Sequence, residues 1–297
     1  MINLLQHFYN IEPTNIKYSS NKCFFYYRNY VFYFFSIDNL NKVMSSYDLS
    51  IYLLSNNFYC HSFVFNIDNE IYTFYDGKYY ILLRCLNFNN IVLGIDSLKY
   101  FYNSFYLFSD ISVSKIRLSF IERVDYFEYE AENFKIQYPL IYNSFKYFIG
   151  LAENAIQLLL SVKNIKCSIS HFDYDNFSNY FEFYNPLNFI IDCSSRDLSI
   201  YVQNKFFLSN FNFSYIRNYI LYFINNLDDA IVFFSRLLFP SYYFRMCDSI
   251  FYNSVSENVI SSVLNKVFEY ECFLSDVYDF LSIYFHMPYI DWLKKKN

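Results

Sequence analysis

A change of hydrophobic period near residue 85 constrains this chain more than any other feature. Before it, short apolar and aromatic runs at 23–27 and 30–35 read as strands, joined by Arg28-Asn29 as a two-residue hairpin turn. Residues 38–54 then switch to helical spacing through Leu40, Val43, Met44, Tyr47, Ile51 and Leu54, with Asp38 as the expected N-cap. A meander follows at 62–67, 71–75 and 79–83, turning at Asp68-Asn69 and at Asp76-Gly77-Lys78. After Arg84-Cys85, residues 112–134 form a charged amphipathic helix that stops before Pro139, and 141–162 form a second, more apolar one. Short strand-like runs at 166–171 and 188–192 interrupt the helices. Helical periodicity then holds from Arg196 to Met287, punctuated by Pro240 and Pro288. The pattern predicts an α+β chain: a small β-rich N-terminal lobe over 1–88 and a larger, mainly helical C-terminal lobe over 89–297.

Composition narrows the function classes. Hydrophobic residues make up 55% and charged residues 17%, which is the balance of a folded chain. Phe and Tyr, 38 and 35 of them, share AT-rich codons with Asn, Ile and Lys, so the aromatic stripes read as packing residues and not as base-stacking platforms. The net charge of −5 leaves no basic stripe apart from Lys294-Lys295-Lys296, so nucleic acid is not an expected partner. The seven cysteines show no C-x-x-C pair, and the four histidines are far apart, so neither a disulfide framework nor a zinc site is expected. Residues 1–7 have no basic region and no uninterrupted apolar core, and no window of about 18 residues is free of charges and amides. No leader and no membrane span are expected, and the expected location is cytoplasmic.

The three glycines, Gly77, Gly94 and Gly150, are isolated from one another. P-loops, dinucleotide fingerprints and glycine-rich kinase loops are therefore absent, because each needs several residues without Cβ beside a phosphate. One chemical constellation remains. His171-Phe-Asp173 ends one short strand, and the run Asn185-Pro-Leu-Asn-Phe-Ile-Ile-Asp192 ends the next, followed by Arg196-Asp197. Two carboxylates at neighbouring strand tips suit a base and a metal ligand for phosphoryl transfer. Equally, Asp173, Asp175 and Asn176 suit a polar turn, and Arg196-Asp197 suits the pinning of a helix start.

Several runs in order along the chain carry a family resemblance: His61-Ser-Phe-Val-Phe-Asn66, Thr73 to Leu83, Arg123-Val-Asp-Tyr-Phe-Glu-Tyr129, Tyr147 to Ile156, Phe189 to Leu198, and Arg236 to Phe244. Together they resemble the spore-coat kinase-like proteins of Firmicutes, relatives of aminoglycoside and choline phosphotransferases with a two-lobed protein-kinase-like fold. The resemblance implies Asp173 as the catalytic-loop aspartate, Asp192 as the metal-binding aspartate and Asp197 as the acid that braces the loop, with Arg196 beside it. It also implies a second metal ligand five residues after Asp173. That position is Ser178, with Asn176 and Asn179 out of register.

Kinases further use a strand lysine on the nucleotide phosphates and a helix glutamate that orients it. Here there is no glutamate between Glu12 and Glu70, and the lysines before Lys78 are Lys17, Lys22 and Lys42, none in the expected strand. The leading reading is a pseudokinase-like scaffold that binds a partner protein or a small ligand, linked to the spore coat or envelope. The alternative is an active phosphotransferase using ATP and Mg²⁺, with Asp173 as base and with Asp192 plus Asn176 or Asn179 on the metal.

Overall fold

The computed structural model describes residues 2–13, 15–19, 22–87, 93–172, 179–208, 212–253 and 255–293. The architecture is α+β, and the chain forms two compact units. One contains Met1–Gly94 together with His171–Ile190, and the other contains Ile95–Ser170 and Ile191–Asn297. Sequence periodicity drew a single boundary after residue 88; the units exchange the chain three times.

The first unit opens with helix α1 (Ile2–Tyr9), which the sequence reading did not anticipate, and continues with strands β1 (Lys17–Ser19), β2 (Lys22–Tyr27) and β3 (Tyr30–Ile37). Arg28 turns the β2–β3 hairpin at φ 55°, in the left-handed region that side chains seldom enter. Helix α2 (Leu40–Ser55) starts one residue later than expected: Asn39, not Asp38, caps it by accepting from the Lys42 amide at 3.1 Å. Strands β4 (Ser62–Phe63), β5 (Thr73–Tyr75) and β6 (Lys78–Leu86) complete an antiparallel sheet of order β1-β2-β3-β6-β4, with β5 also on β6. The strand expected at 62–67 pairs over two residues only. Buried Asn66 diverts the chain, its Oδ1 accepting from the amides of Asp68 and Glu70 and its Nδ2 donating to the Tyr72 carbonyl, each at 2.9 Å. Asp76 and Gly77, at φ 48° and 73°, make the tight turn into β6.

Both faces of this sheet are covered. Val31, Phe35, Ile81, Leu83 and Cys85 pack with Val43 of α2, and Phe32, Phe34, Cys23, Phe25 and Leu82 pack with Leu4, Leu5 and Tyr9 of α1. A strand buried on both faces reads as a continuous apolar run, which is what β3 shows.

The second unit continues with α3 (Ile95–Tyr102), β7 (Ile111–Ser112), α4 (Val113–Asn133), α5 (Pro139–Leu158) and β8 (Asn164–Ile165). Next come β9 (Cys167–His171), α6 (Tyr180–Phe183) and β10 (Phe189–Cys193), of which α6 lies in the first unit and β9 pairs with β10. The remaining helices are α7 (Arg196–Leu208), α8 (Phe213–Phe223), α9 (Leu227–Leu238), α10 (Ser241–Tyr252), α11 (Ser261–Leu264) and α12 (Val267–Tyr284). Pro139 does not merely stop α4; it occupies the first turn of α5, where its missing N–H costs nothing. The cap at that end comes from far away: the Glu257 carboxylate accepts from the amides of Leu140 and Ile141 at 2.7 and 3.0 Å.

Helix α9 is buried from Asp229 to Ser235 and again at Leu237 and Leu238, and it packs against α5, α7 and α12. Stacked rings, Phe148 on Tyr243 and Phe120 on Phe239, fill the space around it, which is the packing role expected for the aromatics. All seven cysteines are free thiols, six of them buried and Cys272 exposed. Among the described residues no helix is long and apolar enough to cross a membrane.

Two stability effects follow. Phe34→Ala removes a fully buried ring and should cost about 3–5 kcal/mol in urea unfolding. Glu257→Ala leaves two amides of α5 uncapped and should cost about 1 kcal/mol, read in the same assay.

Candidate functional site

Asp192 lies near the end of β10, and its carboxylate is enclosed by donors within the second unit. Arg236, in the last turn of the buried helix α9, donates through Nη2 to Oδ1 at 2.5 Å. Arg196, the first residue of α7, donates through Nε to Oδ2 at 3.2 Å, and the Cys193 amide also donates to Oδ1 at 2.6 Å. Arg196 reaches Asp197 as well, at 3.5 Å, so one arginine links two carboxylates at the start of α7. Arg236 Nε donates to the Cys193 sulfur at 2.9 Å. Burial opposes the charge on Arg236, but the neighbouring Asp192 carboxylate and Cys193 sulfur outweigh it, and its pKa stands above the ordinary arginine value. Burial pushes the Cys193 thiol up to about 11, so it is a neutral acceptor at physiological pH.

This donor set does not suit a magnesium ion. Mg²⁺ needs bare carboxylate oxygens in near-octahedral geometry at roughly 2.0–2.1 Å. Both oxygens of Asp192 already accept charged hydrogen bonds, and two guanidinium groups would repel a second cation. Ile191, beside it, is 45% exposed, so β10 is not the fully buried strand that its apolar run suggested.

The second cluster lies within the first unit and centres on α6. Lys22, the first residue of β2, pairs with Glu182 at 2.6 Å, and its ammonium sits 4.9 and 5.5 Å from the ring centres of Phe181 and Phe35. The Phe181 ring stacks on Tyr33 of β3 at 3.9 Å, and Tyr33 stacks on Phe24 at 5.5 Å. Two buried histidines hold the same short helix: His61 Nε2 donates to the Phe181 carbonyl at 3.1 Å, and His171 Nε2 donates to the Phe183 carbonyl at 2.9 Å. Asn188 Nδ2 donates to the Glu182 carbonyl, and Asn185 Nδ2 to its carboxylate.

The strand lysine and helix glutamate that the family resemblance implies for a kinase are not found in β3 and α2. The third strand, Tyr30–Ile37, has no charged residue, α2 has no glutamate, and a tyrosine sits in mid-strand under Phe181. The amine nearest this region, Lys22, is neutralised by a glutamate 160 positions away. Nothing local in the sequence marks Glu182 or Arg236 as partners, because each finds its counterpart only through the fold.

Of the residues singled out by sequence, Asp173 and Asn176 lie outside the described residues. Asn179 caps α6, its Oδ1 accepting from the Phe181 amide at 3.0 Å. It belongs to the first unit, whereas Asp192, Arg196 and Asp197 belong to the second. Among the described residues no three His, Cys, Asp or Glu side chains group as a metal site.

The family described as spore coat putative kinase YutH matches residues 117–277, just over half of the chain. The endospore coat-associated protein YutH of Bacillus subtilis (strain 168) is 28% identical over 174 residues, which are 51% of this chain and 51% of that protein. The chain thus aligns with about half the length of that curated relative. An aminoglycoside phosphotransferase from Alicyclobacillus acidocaldarius overlays with a TM-score of 0.64 at 8% identity, over 90% of this chain and 92% of that one. The two chains share a fold. A spectinomycin phosphotransferase, solved with bound AMP, overlays more loosely, with a TM-score of 0.48 at 11% identity over 89% and 96% of the two chains.

A double-mutant cycle tests the pairing at Asp192. Asp192→Asn and Arg236→Gln should show a coupling energy of about 1–3 kcal/mol in urea unfolding, and additive effects would deny the pair a structural role.

Proposed function

Because the chain belongs to the spore coat putative kinase YutH family, we propose that it is a pseudokinase: a kinase-fold scaffold that binds a partner protein or a small ligand at the spore coat and transfers no phosphate. The observation that carries this reading is the Asp192 carboxylate, held on both oxygens by Arg196 and Arg236, at the position the resemblance gives to the metal-binding aspartate. The Lys22–Glu182 pair and the Phe24–Tyr33–Phe181 stack support it from the first unit, since they occupy with the chain's own side chains the groups a kinase would turn to nucleotide. The link to the spore coat rests on the family and on the name of the Bacillus subtilis relative.

The test is a thermal-shift titration with ATP, with and without Mg²⁺. A ligand that binds the native state raises stability by RT ln(1 + [L]/Kd), about 2.7 kcal/mol at a hundredfold excess over Kd. No shift at millimolar nucleotide is the expected result. A Mg²⁺-dependent rise that disappears in Asp192→Ala would overturn the reading. It would favour an active phosphotransferase with Asp173 as base and with Asp192 and Asn176 or Asn179 on the metal.

A further inference from the structure

His61, in the first unit, is fully enclosed, with no solvent exposure. Its Nε2 faces the Phe181 carbonyl, which can only accept, so that nitrogen carries the proton and Nδ1 is the acceptor. The Tyr59 hydroxyl, 3.1 Å away, therefore donates to Nδ1 and itself accepts from the Leu86 amide at 2.9 Å. The His61 amide donates to the Tyr184 carbonyl at 2.9 Å, so side chain and backbone of one residue both hold the segment around α6. The rings of Tyr59, Tyr180, Phe181 and Tyr184 surround the imidazole.

Among the described residues of this shell, none is an anion that could receive a charged imidazole. From the side of β4, Tyr59 and Cys60 are each pushed up to about 12 by burial. Cys85 of β6 and Tyr180 and Tyr184 of the α6 segment complete the titratable neighbours, and burial raises Cys85 and Tyr180 further. The nearest ion pair, Lys22 with Glu182, lies beyond Phe181 and is closed on itself. His171 faces Phe183.

We propose that residues 179–190 form an acid-released strap: protonation of His61 puts an unpaired charge beneath it, and the segment detaches from the sheet of the first unit. The inference goes beyond the pseudokinase reading and holds whether or not nucleotide binds. Burial lowers the His61 pKa to about 3, against the smaller opposing effect of the Phe181 carbonyl. Once the strap lifts, the ring meets water and returns to about 6.5. A depressed histidine keeps its full stabilisation above the solvent value and loses it as the pH falls toward the buried one, so the window runs from about 6.5 down to about 3. Between pH 7.5 and 5 the opening equilibrium rises roughly thirtyfold, the ratio of the two protonation polynomials.

Amide hydrogen exchange on the full chain at pH 7.5 and 5, corrected for intrinsic rates, reads this opening. The amides of His61, Phe183 and Tyr184 should lose protection by roughly thirtyfold, with α9 as an internal reference that does not change. In His61→Gln, whose amide can still donate to the Phe181 carbonyl, the loss should vanish. Equal protection of the strap at both pH values in the native chain would overturn the proposal, as would the same loss in His61→Gln. Should that variant fail to fold, nitrogen chemical shifts of the native His61 ring decide instead. A ring that protonates while the strap stays protected sinks the idea, and protonation that coincides with deprotection sustains it.

Discussion

A guanidinium in the middle of a helical core has to meet a carboxylate, and Arg236 is such a group. Helix α9 is buried along most of its length and carries Arg236 in its last turn, so the carboxylate must come to the helix. Asp192 does so from the end of β10, Arg196 joins from the start of α7, and the Cys193 sulfur accepts from Arg236 Nε. The same corner is tied by Gln203 of α7, whose amide nitrogen lies within 3.1 Å of the carbonyls of Arg236, Leu237 and Phe239, and by the Tyr270 hydroxyl on Leu237. Four elements thus share one polar node in an otherwise aromatic interior. Removing any member leaves a buried polar group without its partner, which is what gives the node authority over the packing around it.

The first unit solves a different problem. Its sheet is apolar on both faces, one covered by α1 and the other by α2 with Phe181. A kinase fold ordinarily keeps polar groups on this lobe for phosphates, and here Lys22, whose amine reaches α6, is balanced by Glu182 and flanked by aromatic faces. Under the proposed pseudokinase reading, the fold persists while the side chains that would do chemistry serve as packing and pinning groups. Fold and function are separable in this way because a scaffold depends on its layers and a reaction depends on a few atoms.

Much of the architecture was legible because its signals are local. The β2–β3 hairpin announced itself by two short aromatic runs around Arg28-Asn29, and α4 by its charged 3.6-residue period. The misplaced cap at α2 came from two adjacent residues of equal capping ability, Asp38 and Asn39, which only backbone angles separate. Helix α1 was missed because eight residues span only about two helical turns, and its role is visible only against the sheet face it covers. The strand expected at 62–67 failed because one asparagine, Asn66, organises a loop through its side chain, a choice that composition does not reveal. The candidate site was legible only as residue types. Asp192 and Arg196 stand four positions apart and could be paired by eye, but Arg236 is 44 positions from Asp192 and Glu182 is 160 from Lys22. Such pairs are properties of the folded chain, and a single sequence carries no trace of them.

The position of Phe181 in the core of the first unit has a consequence during synthesis. Strands β1 to β6 leave the ribosome first, yet the ring that closes over Tyr33 and Phe35 follows roughly a hundred residues later, on the order of ten seconds at ordinary elongation rates. For that interval α2 covers its part of the face while Tyr33 and Phe35 lack the Phe181 ring, and the loop that must finally close is long, which slows the step further. The nascent chain therefore passes through a sticky, half-dressed stage. Until residue 181 emerges, the ring surface of Tyr33 and Phe35 is where the nascent chain is open to aggregation.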